Sequence, residues 1–503
     1  MTGSGGERGR RVFCVGFPGT GLGTLGACLK TLGHRHRMGG LKELRAALRG
    51  DWPSVFSVTE RLDSFADWPW PLLFLELDAR YPGSRFILTT RKDSGTWIES
   101  LLMHADLTGA TAQRKLVYGF EPRGNEAEAT ALYEAHNRAV RTHFAQRPDD
   151  LLELCWDCGD GWRELCAFLG RPLPDALLPH LNSSVEKQAW RRTLEAATDR
   201  LRTVTVMLGP YRNLTTITAS TLSLHPRCVV LNHSHRDVKR SGANFLRGRA
   251  DVRFRRFCHG ALEVSKARAG GAINRSHAFT TSEFLRRRFS EVRERRAPDE
   301  PVDALVWKES HKATNDLRRG PYELGELLDR LPALRFLQPI RNPLDCALSY
   351  AGRPGRLRLL GLPRGVDPSR VLEMILEHHA WFLEQEKRFP ERLLHFVEDE
   401  VGEDLARRLQ AFLELEPEGE WIRDFVEAFQ VRPGGYFYSA EILDTYHELL
   451  DRLFQPWSEL RERLRALADT SCRSAGGPAP HARPAPAPLH PTPEAAELPA
   501  AGE

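Results

Sequence analysis

Short apolar runs recur along this chain, and most of them end in a turn followed by an amphipathic stretch with helical spacing. Near the N-terminus "RVFCVGF" meets a glycine-rich turn, and "LGACLKTLG" beyond it reads as a helix. "PLLFLELDARYPGSRFILTTR" reads as helix, turn and strand, and "DDLLELCWDCGDGWRELCAFLG" as strand, turn and helix. Strands that alternate with helices predict an α/β layer structure around a mainly parallel sheet. Ligands of such sheets sit outside the carboxyl ends of the strands.

The pattern returns later. "CVVLN" is a strand followed by loop and helix, "ALVWKES" is strand-like, "RFLQPIR" is a strand, and "RLLHFVEDE" leads into the helix "DLARRLQAFLEL". Between the two halves, "EKQAWRRTLEAATDRLRTVTVML" reads as an amphipathic helix running into a threonine-rich stretch. The expected organisation is an α/β domain over 11–184, a helical connector over 185–224, a second α/β domain over 225–470 and a disordered Pro/Ala-rich tail over 471–503. The halves share one detail. "RFILTTRKDSGTWIESL" and "RFLQPIRNPLDCALSY" each end a strand in an arginine, Arg91 and Arg341. Each then places a serine, Ser100 and Ser349, about two helical turns later. Two diverged copies of one plan account for this better than a short-period repeat.

Composition narrows the classes. A length of 503 residues predicts two or three domains, and 41% hydrophobic with 27% charged residues is a globular balance. No apolar run reaches the ~18 residues of a membrane span. "MTGSGGERGR" has no apolar core of a secretory signal, so the expected compartment is cytoplasmic, with no membrane partner. The nine cysteines are irregularly spaced, which argues against a disulfide framework. Cys155 and Cys158 form a C-x-x-C with no second pair to complete a zinc site, and are expected as two half-buried thiols. Net charge is only +4, but arginine dominates the basic residues. Arginine suits bidentate recognition of a small polyanion, and no basic, aromatic-interleaved motif points to nucleic acid.

The turn Val15–Gly26, "VGFPGTGLGTLG", is an anion site on any reading, because backbone N–H groups and a helix N-terminus converge there. As a nucleotide-triphosphate loop, Gly16 and Gly21 have the right spacing, but Leu22 and Gly23 stand where Lys and Ser/Thr belong. As a dinucleotide fingerprint, Gly21, Gly23 and Gly26 fit, but "GHRHRMGGLKELRAALRG" is not the strand that must follow.

A third reading uses the other pieces. With "RFILTTR…WIESL" and the closing strand–helix, residues 11–184 resemble the PAPS-dependent sulfotransferases of the P-loop sulfotransferase fold. In that family a loop of the form G-x-P-[RK]-[ST]-G-T-[TS] grips the 5′-phosphosulfate of 3′-phosphoadenosine 5′-phosphosulfate (PAPS). A strand-end arginine and a helical serine hold the 3′-phosphate. The resemblance implies Thr20 and Gly21 in the loop, Arg91 and Ser100 on the 3′-phosphate, and Trp97 as the aromatic between them. Gly19 stands where the family has Arg or Lys, and Leu22-Gly23 replace its hydroxyls, which implies a first copy that binds nucleotide poorly or binds it without transfer. Asp67, in "DWPW", resembles a recurrent family position or caps a turn.

Residues 225–470 are similar to the same superfamily. In "HSHRDVKRSGANFL", Arg240, Ser241 and Gly242 match the loop with Lys239 beside them, while Ala243 and Asn244 replace hydroxyls. His233 and His235 precede it as further phosphate contacts. Arg341 and Ser349 match the 3′-phosphate pair in an R-N-P-x-D-x-x-x-S-Y form. The resemblance also implies a base in "ALVWKESHKATND": His311, or alternatively Glu309, with Lys308 steadying the leaving phosphate or the acceptor. Glu398, after the Val397 that replaces a family tyrosine, is expected to be structural, and the mid-helix His378-His379 to be packing or surface. The implied architecture is two tandem P-loop-type three-layer domains. The implied activity moves a sulfuryl group from PAPS to a hydroxyl or amine acceptor without a metal. The acceptor pocket would be built from Asp51–Asp67, Leu102–Thr130 and Gly352–Val366. Two rivals remain: a non-catalytic nucleotide- or partner-binding scaffold of the same fold, and an NAD(P)-binding oxidoreductase acting through the first domain.

Overall fold

The computed structural model describes residues 10–109, 111–179, 184–233, 244–248, 250–267, 273–295, 300–351, 357, 362–363, 365–431 and 436–474. The chain divides into two compact units, Met1–Asp199 with Arg240–Gly260, and Arg200–Lys239 with Ala261–Glu503.

Each unit is built on a five-stranded sheet in which every pairing is parallel. The first comprises β1 (Val12–Cys14), β2 (His36–Met38), β3 (Ser64–Ala66), β4 (Arg85–Thr90) and β5 (Leu151–Cys155), in the order β2-β3-β1-β4-β5. The second comprises β6 (Thr203–Met207), β7 (Cys228–Asn232), β8 (Ala304–Lys308), β9 (Leu334–Ile340) and β10 (Leu393–Val397). Read from the β7 edge, its order is β7-β8-β6-β9-β10, which is the first order again, strand for strand.

Helices cover both faces of each sheet, and the strand sequences dictate why. In β1 and β4, Phe13, Phe86 and Leu88 enter one core, with Val55, Leu77 and Phe144 from the covering helices. Val12, Cys14 and Ile87 enter the opposite core, with Leu25, Cys28 and Leu165. Successive strand residues point to opposite faces, so a strand buried on both sides places apolar residues toward both. In the second unit Met207, Leu337 and Phe396 face one core, and Ile340 and Val397 the other. Each fully buried Leu or Phe contributes on the order of 1.5–3 kcal/mol. The α/β class and the flanked parallel sheets are as expected.

Three expectations fail. The stretch 185–224 is not a connector: after the helix Ser184–Asp199 it supplies β6, the central strand of the second sheet, and the helix Thr215–Leu222. "CVVLN" is therefore β7, an edge strand, and not the strand that opens a phosphate loop. The segment dismissed as a strand contains β2, three residues long and paired to β3. The helix Ser458–Ser474 runs into the expected tail, whose remainder lies outside the described residues.

Candidate functional site

The central strand of each sheet ends in a loop and then a helix, and the two loops correspond residue by residue. β1 is followed by Val15–Gly21 and the helix Leu22–Thr31, and β6 by Leu208–Leu214 and the helix Thr215–Leu222. Positive φ falls at Gly19 (99°) and Gly21 (91°) in the first loop and at the matching Arg212 (70°) and Leu214 (57°) in the second, which adds Gly209 (98°). The left-handed region is costly for a β-carbon, so two non-glycine residues there mark a loop whose shape is imposed by its surroundings. Neither helix has a side-chain cap at its start, which leaves its first N–H groups to meet an anion.

Close approach shapes each loop. A Cβ at Gly16 would lie 2.5 Å from the backbone oxygen of Thr89 and 2.8 Å from its nitrogen. Thr20, fully buried, donates its hydroxyl to the Phe17 carbonyl at 2.6 Å and shares a hydrogen bond with the Thr89 hydroxyl at 2.6 Å. The Trp97 indole donates to the Pro18 carbonyl at 3.0 Å and stacks on Tyr133 with centroids 4.2 Å apart. A Cβ at Gly19 would stand 3.7 Å from Ser100 Oγ. Thr20, Gly21, Trp97 and Ser100 thus gather around the loop. Arg91 lies beyond β4 with Nε 2.8 Å from Asp157 Oδ2, and its backbone N–H donates to the Tyr133 hydroxyl at 3.2 Å. Burial pushes the Asp67 carboxyl above its ordinary range, opposed by the Trp68 N–H that it accepts at 2.8 Å.

The second loop carries a cation where the first has none. Arg212 Nε donates to Ser349 Oγ at 3.1 Å. Asn213 is pinned from two sides: its amide donates to the Pro339 carbonyl, and its Oδ1 accepts the Arg341 N–H at 2.7 Å. Tyr211 N donates to the Tyr350 hydroxyl at 2.5 Å, and Gly209 N to Thr314 Oγ1 at 3.0 Å. Arg341 Nη2 donates to Asp345 Oδ2 at 3.1 Å, and its Nε is 3.7 Å from Glu398 Oε2. Burial raises the Glu398 carboxyl while Arg341 pulls it down. Pro343 opens the helix Pro343–Ala351, and Asn342 Oδ1 accepts the Leu344 N–H at 3.0 Å, so strand, turn and helix set the spacing of Arg341 and Ser349.

The sheet register equates the two strand-end arginines. Cys14 pairs with Ile87 and Met207 with Leu337, and Arg91 and Arg341 each lie four residues beyond the paired partner. After β3 and β8 come Asp67 and Glu309, again at matching positions. Beside Glu309 the buried Lys308 and His311 meet the more exposed His233 and Lys312. Lys308 Nζ is 3.4 Å from His233 Nε2, and burial draws its ammonium down to about 8 against the opposing pull of Glu309. Glu309, 4% exposed, is 3.5 Å from Lys312 Nζ and 3.9 Å from His233 Nδ1. His311 Nε2 lies 2.8 Å from the Asn315 amide nitrogen, so it is the accepting nitrogen of that ring. His378, expected as packing or surface, is buried with its ring 5.3 Å from that of His311, and burial holds it down to about 2. His379 is buried against Gln338 at 3.0 Å.

Residues 11–187 match the family model of the sulfotransferase domain. Solved structures similar to the chain include mouse sulfotransferase SULT7A1 complexed with PAP, at 12% identity, TM-score 0.30, covering 56% of this chain and 94% of that one. Sulfotransferase STF9 from Mycobacterium avium is 16% identical, TM-score 0.28, over 53% and 80% of the two chains. The sulfotransferase domain of the Synechococcus PCC 7002 olefin synthase is 15% identical, TM-score 0.24, over 46% and 78%. No curated protein matches the chain.

The matched sulfotransferase domain is thus the half whose loop carries Gly19. Of the residues expected from sequence, Lys239, Arg240, Ser241, Gly242 and His235 lie outside the described residues. The loop that follows the central strand is Gly209–Thr216, "GPYRNLTT", which sequence reasoning missed. A signal was there: against G-x-P-[RK]-[ST]-G-T-[TS] it keeps Gly209, Arg212, Thr215 and Thr216, directly after the β-branched run "TVTVM". Among the described residues no group of three or more His, Cys, Asp or Glu could hold a metal ion. No helix of the described residues is long and apolar enough to cross a membrane.

Proposed function

We propose that the second domain is a PAPS-dependent sulfotransferase acting on a hydroxyl or amine, and that the first binds the same kind of nucleotide without transferring sulfate. The observation that carries this reading is the Arg212–Ser349 hydrogen bond of 3.1 Å, which joins a cationic phosphate loop to the helix that follows the strand-end arginine. The donor set fits a molecule with phosphate groups at two ends: loop N–H groups with Arg212 at one, Arg341 and Ser349 at the other. Such a donor, when bound, supplies the sulfuryl group.

The chain's own residues supply the rest. Arg212, at the exposed rim, and Lys308, which is buried, place positive charge where negative charge grows on the leaving side, and burial strengthens the attraction of Lys308. Ser310 holds the loop helix in place, donating its hydroxyl to Thr215 Oγ1 at 3.1 Å. The acceptor must lose a proton as it attacks, and Glu309 is our choice for its destination. The His311 Nε2 lone pair is already directed at Asn315, which makes His311 a wall and orienting group of the pocket.

The test is calorimetric titration of 3′,5′-adenosine bisphosphate (PAP) into the full chain and into Arg212→Ala, alongside release of PAP from PAPS with a simple phenol as acceptor. Saturable binding lost in Arg212→Ala, with turnover lost in Glu309→Gln, is expected. A wild-type chain that does not bind PAP refutes the reading. Binding without turnover leaves the scaffold rival standing.

A further inference from the structure

Sequence reading expected Cys155 and Cys158 as two thiols, but they are joined by a disulfide. The bond closes a small ring at the end of β5 around the turn Trp156–Cys158. That turn carries both side chains that lie on the first domain's anion site. Asp157 Oδ2 sits 2.8 Å from Arg91 Nε and accepts the Lys92 N–H at 3.5 Å. Trp156 lies against the phosphate loop, its Nε1 within 2.6 Å of where a Cβ at Gly21 would be. That indole nitrogen is buried and finds no acceptor among the described residues, so it is a donor turned to the loop. Cys158 is exposed, Cys155 is 8% exposed, and both line a cavity of about 450 Å³ with Arg91, Lys92 and Arg141. Neighbouring cations favour a thiolate, which is the reactive form.

The second domain builds the same turn without sulfur. Cys155 pairs with Thr90 and Val397 with Ile340, so Val397 and Glu400 occupy the two cysteine positions. There the Val397 N–H donates to Glu400 Oε1 at 3.4 Å, a closure that no reductant opens.

We propose that Cys155–Cys158 is a reversible thiol–disulfide site that controls whether Arg91 can receive an anion; the anion's identity rests on the nucleotide reading above. In the oxidised ring Asp157 is held on Arg91, and a phosphate must displace a tethered carboxylate. A thiolate of an external dithiol attacks the exposed Cys158 sulfur. The Cys155–Cys158 bond breaks, and Cys155 leaves as a thiolate and takes up a proton. The second thiol of the reagent then displaces Cys158, so two electrons pass to the protein and the dithiol becomes a cyclic disulfide. The opened turn no longer fixes Asp157.

The experiment uses the full chain carrying Arg341→Ala, oxidised or reduced with dithiothreitol, and titrated calorimetrically with PAP and separately with inorganic pyrophosphate. Differential alkylation with mass spectrometry reports the bond, and hydrogen exchange reports the turn. Reduction is expected to tighten anion binding about tenfold or more and to speed exchange across 156–160. Cys158→Ser, at an exposed position, should behave as reduced chain in both conditions. A redox response to pyrophosphate without PAP binding keeps the switch and removes the nucleotide reading. PAP binding that ignores redox state removes the switch and keeps that reading. Alkylation of both cysteines in the oxidised chain, or binding of neither anion in either state, overturns the proposal.

Discussion

The two loops differ most where they correspond best. At one position of the same backbone path the first domain has Gly19 and the second Arg212, both at positive φ. A serine of the helix after β4 or β9 waits beside each: 3.7 Å from where a Gly19 Cβ would be, and hydrogen-bonded to Arg212 at 3.1 Å. The first domain keeps a compact glycine turn that binding alone requires. The second tolerates Arg212 and Leu214 at positive φ and gains a cation, the one that transfer would require on the function proposed above. The family match falls on the first half, so likeness in sequence and completeness of the charged site have separated along this chain.

The largest effect that sharpens the comparison is on stability. Gly16→Ala puts a Cβ 2.5–2.8 Å from the Thr89 backbone, which cannot yield as a side-chain tip does, and should cost the first domain about 3 kcal/mol or more. Gly209→Ala meets side-chain atoms of Asn213 and Gln338 at 3.2–3.4 Å and should cost the second domain less, its positive φ being the main strain. Urea denaturation followed by two-domain fitting separates them, and equal losses would break the argument.

Next comes affinity. Arg212→Ala and Arg341→Ala each remove a charge-assisted phosphate contact, a loss of about 2–3 kcal/mol or roughly 30- to 150-fold in PAP binding. Arg91→Ala should cost less in oxidised protein, because Asp157 holds that guanidinium at 2.8 Å from a disulfide-closed turn, closer than Asp345 holds Arg341 at 3.1 Å. Calorimetry on the three variants is decisive, and a larger loss in Arg91→Ala would invert the ranking of the domains.

Gly19→Arg then tries to convert the first loop into the second. A Cβ there has its nearest neighbour, Trp97 Nε1, at 3.4 Å, and Arg212 shows that the fold accepts arginine at the matching φ. The expected gain in first-domain PAP affinity is about tenfold, worth about 1.4 kcal/mol. No gain would show that charge is not what the first loop lacks.

The smallest effect is a pH dependence confined to the second domain. Burial draws Lys308 down to about 8, so its positive charge is present below that pH and lost above it. PAP affinity should fall a few-fold between pH 7 and 9.5 in the wild type and hold in Lys308→Arg. The sign for stability is opposite. Between about 8 and 10.5 the unfolded chain keeps a proton that the folded chain has released, so this residue's contribution improves as pH rises through that window.

Most of the fold was legible because strands buried on both faces carry consecutive apolar residues, as Phe86-Ile87-Leu88 in β4 and Leu305-Val306-Trp307 in β8 do. Arg341 was legible because Asn342-Pro343 stops a strand and starts a helix in one step. β6 was not, since "TVTVM" follows a long amphipathic helix after only a short break and alternates threonine with valine. Leu214 hid the loop after it, standing in the left-handed conformation where glycine is the usual signal. β2 and β3 have three residues each, too few for any periodicity. The disulfide was unreadable because spacing alone does not say whether two thiols meet oxidised.

The path of the polypeptide has a practical consequence for anyone who would take this molecule apart. The first unit is not a single length of chain: it ends at Asp199 and is completed by Arg240–Gly260, borrowed from the middle of the second. That insert brings Phe245, Phe254 and Phe257, all buried against one another, and Arg255, whose Nη1 lies 3.3 Å from Glu195 Oε1. A gene truncated after Asp199 would encode a half that has lost its own patch, and one started at Arg200 would carry that patch with nothing to receive it. A cut after Asp199 therefore parts the first unit from a piece of itself, and a fragment meant to stand for that unit alone needs Arg240–Gly260 joined to it.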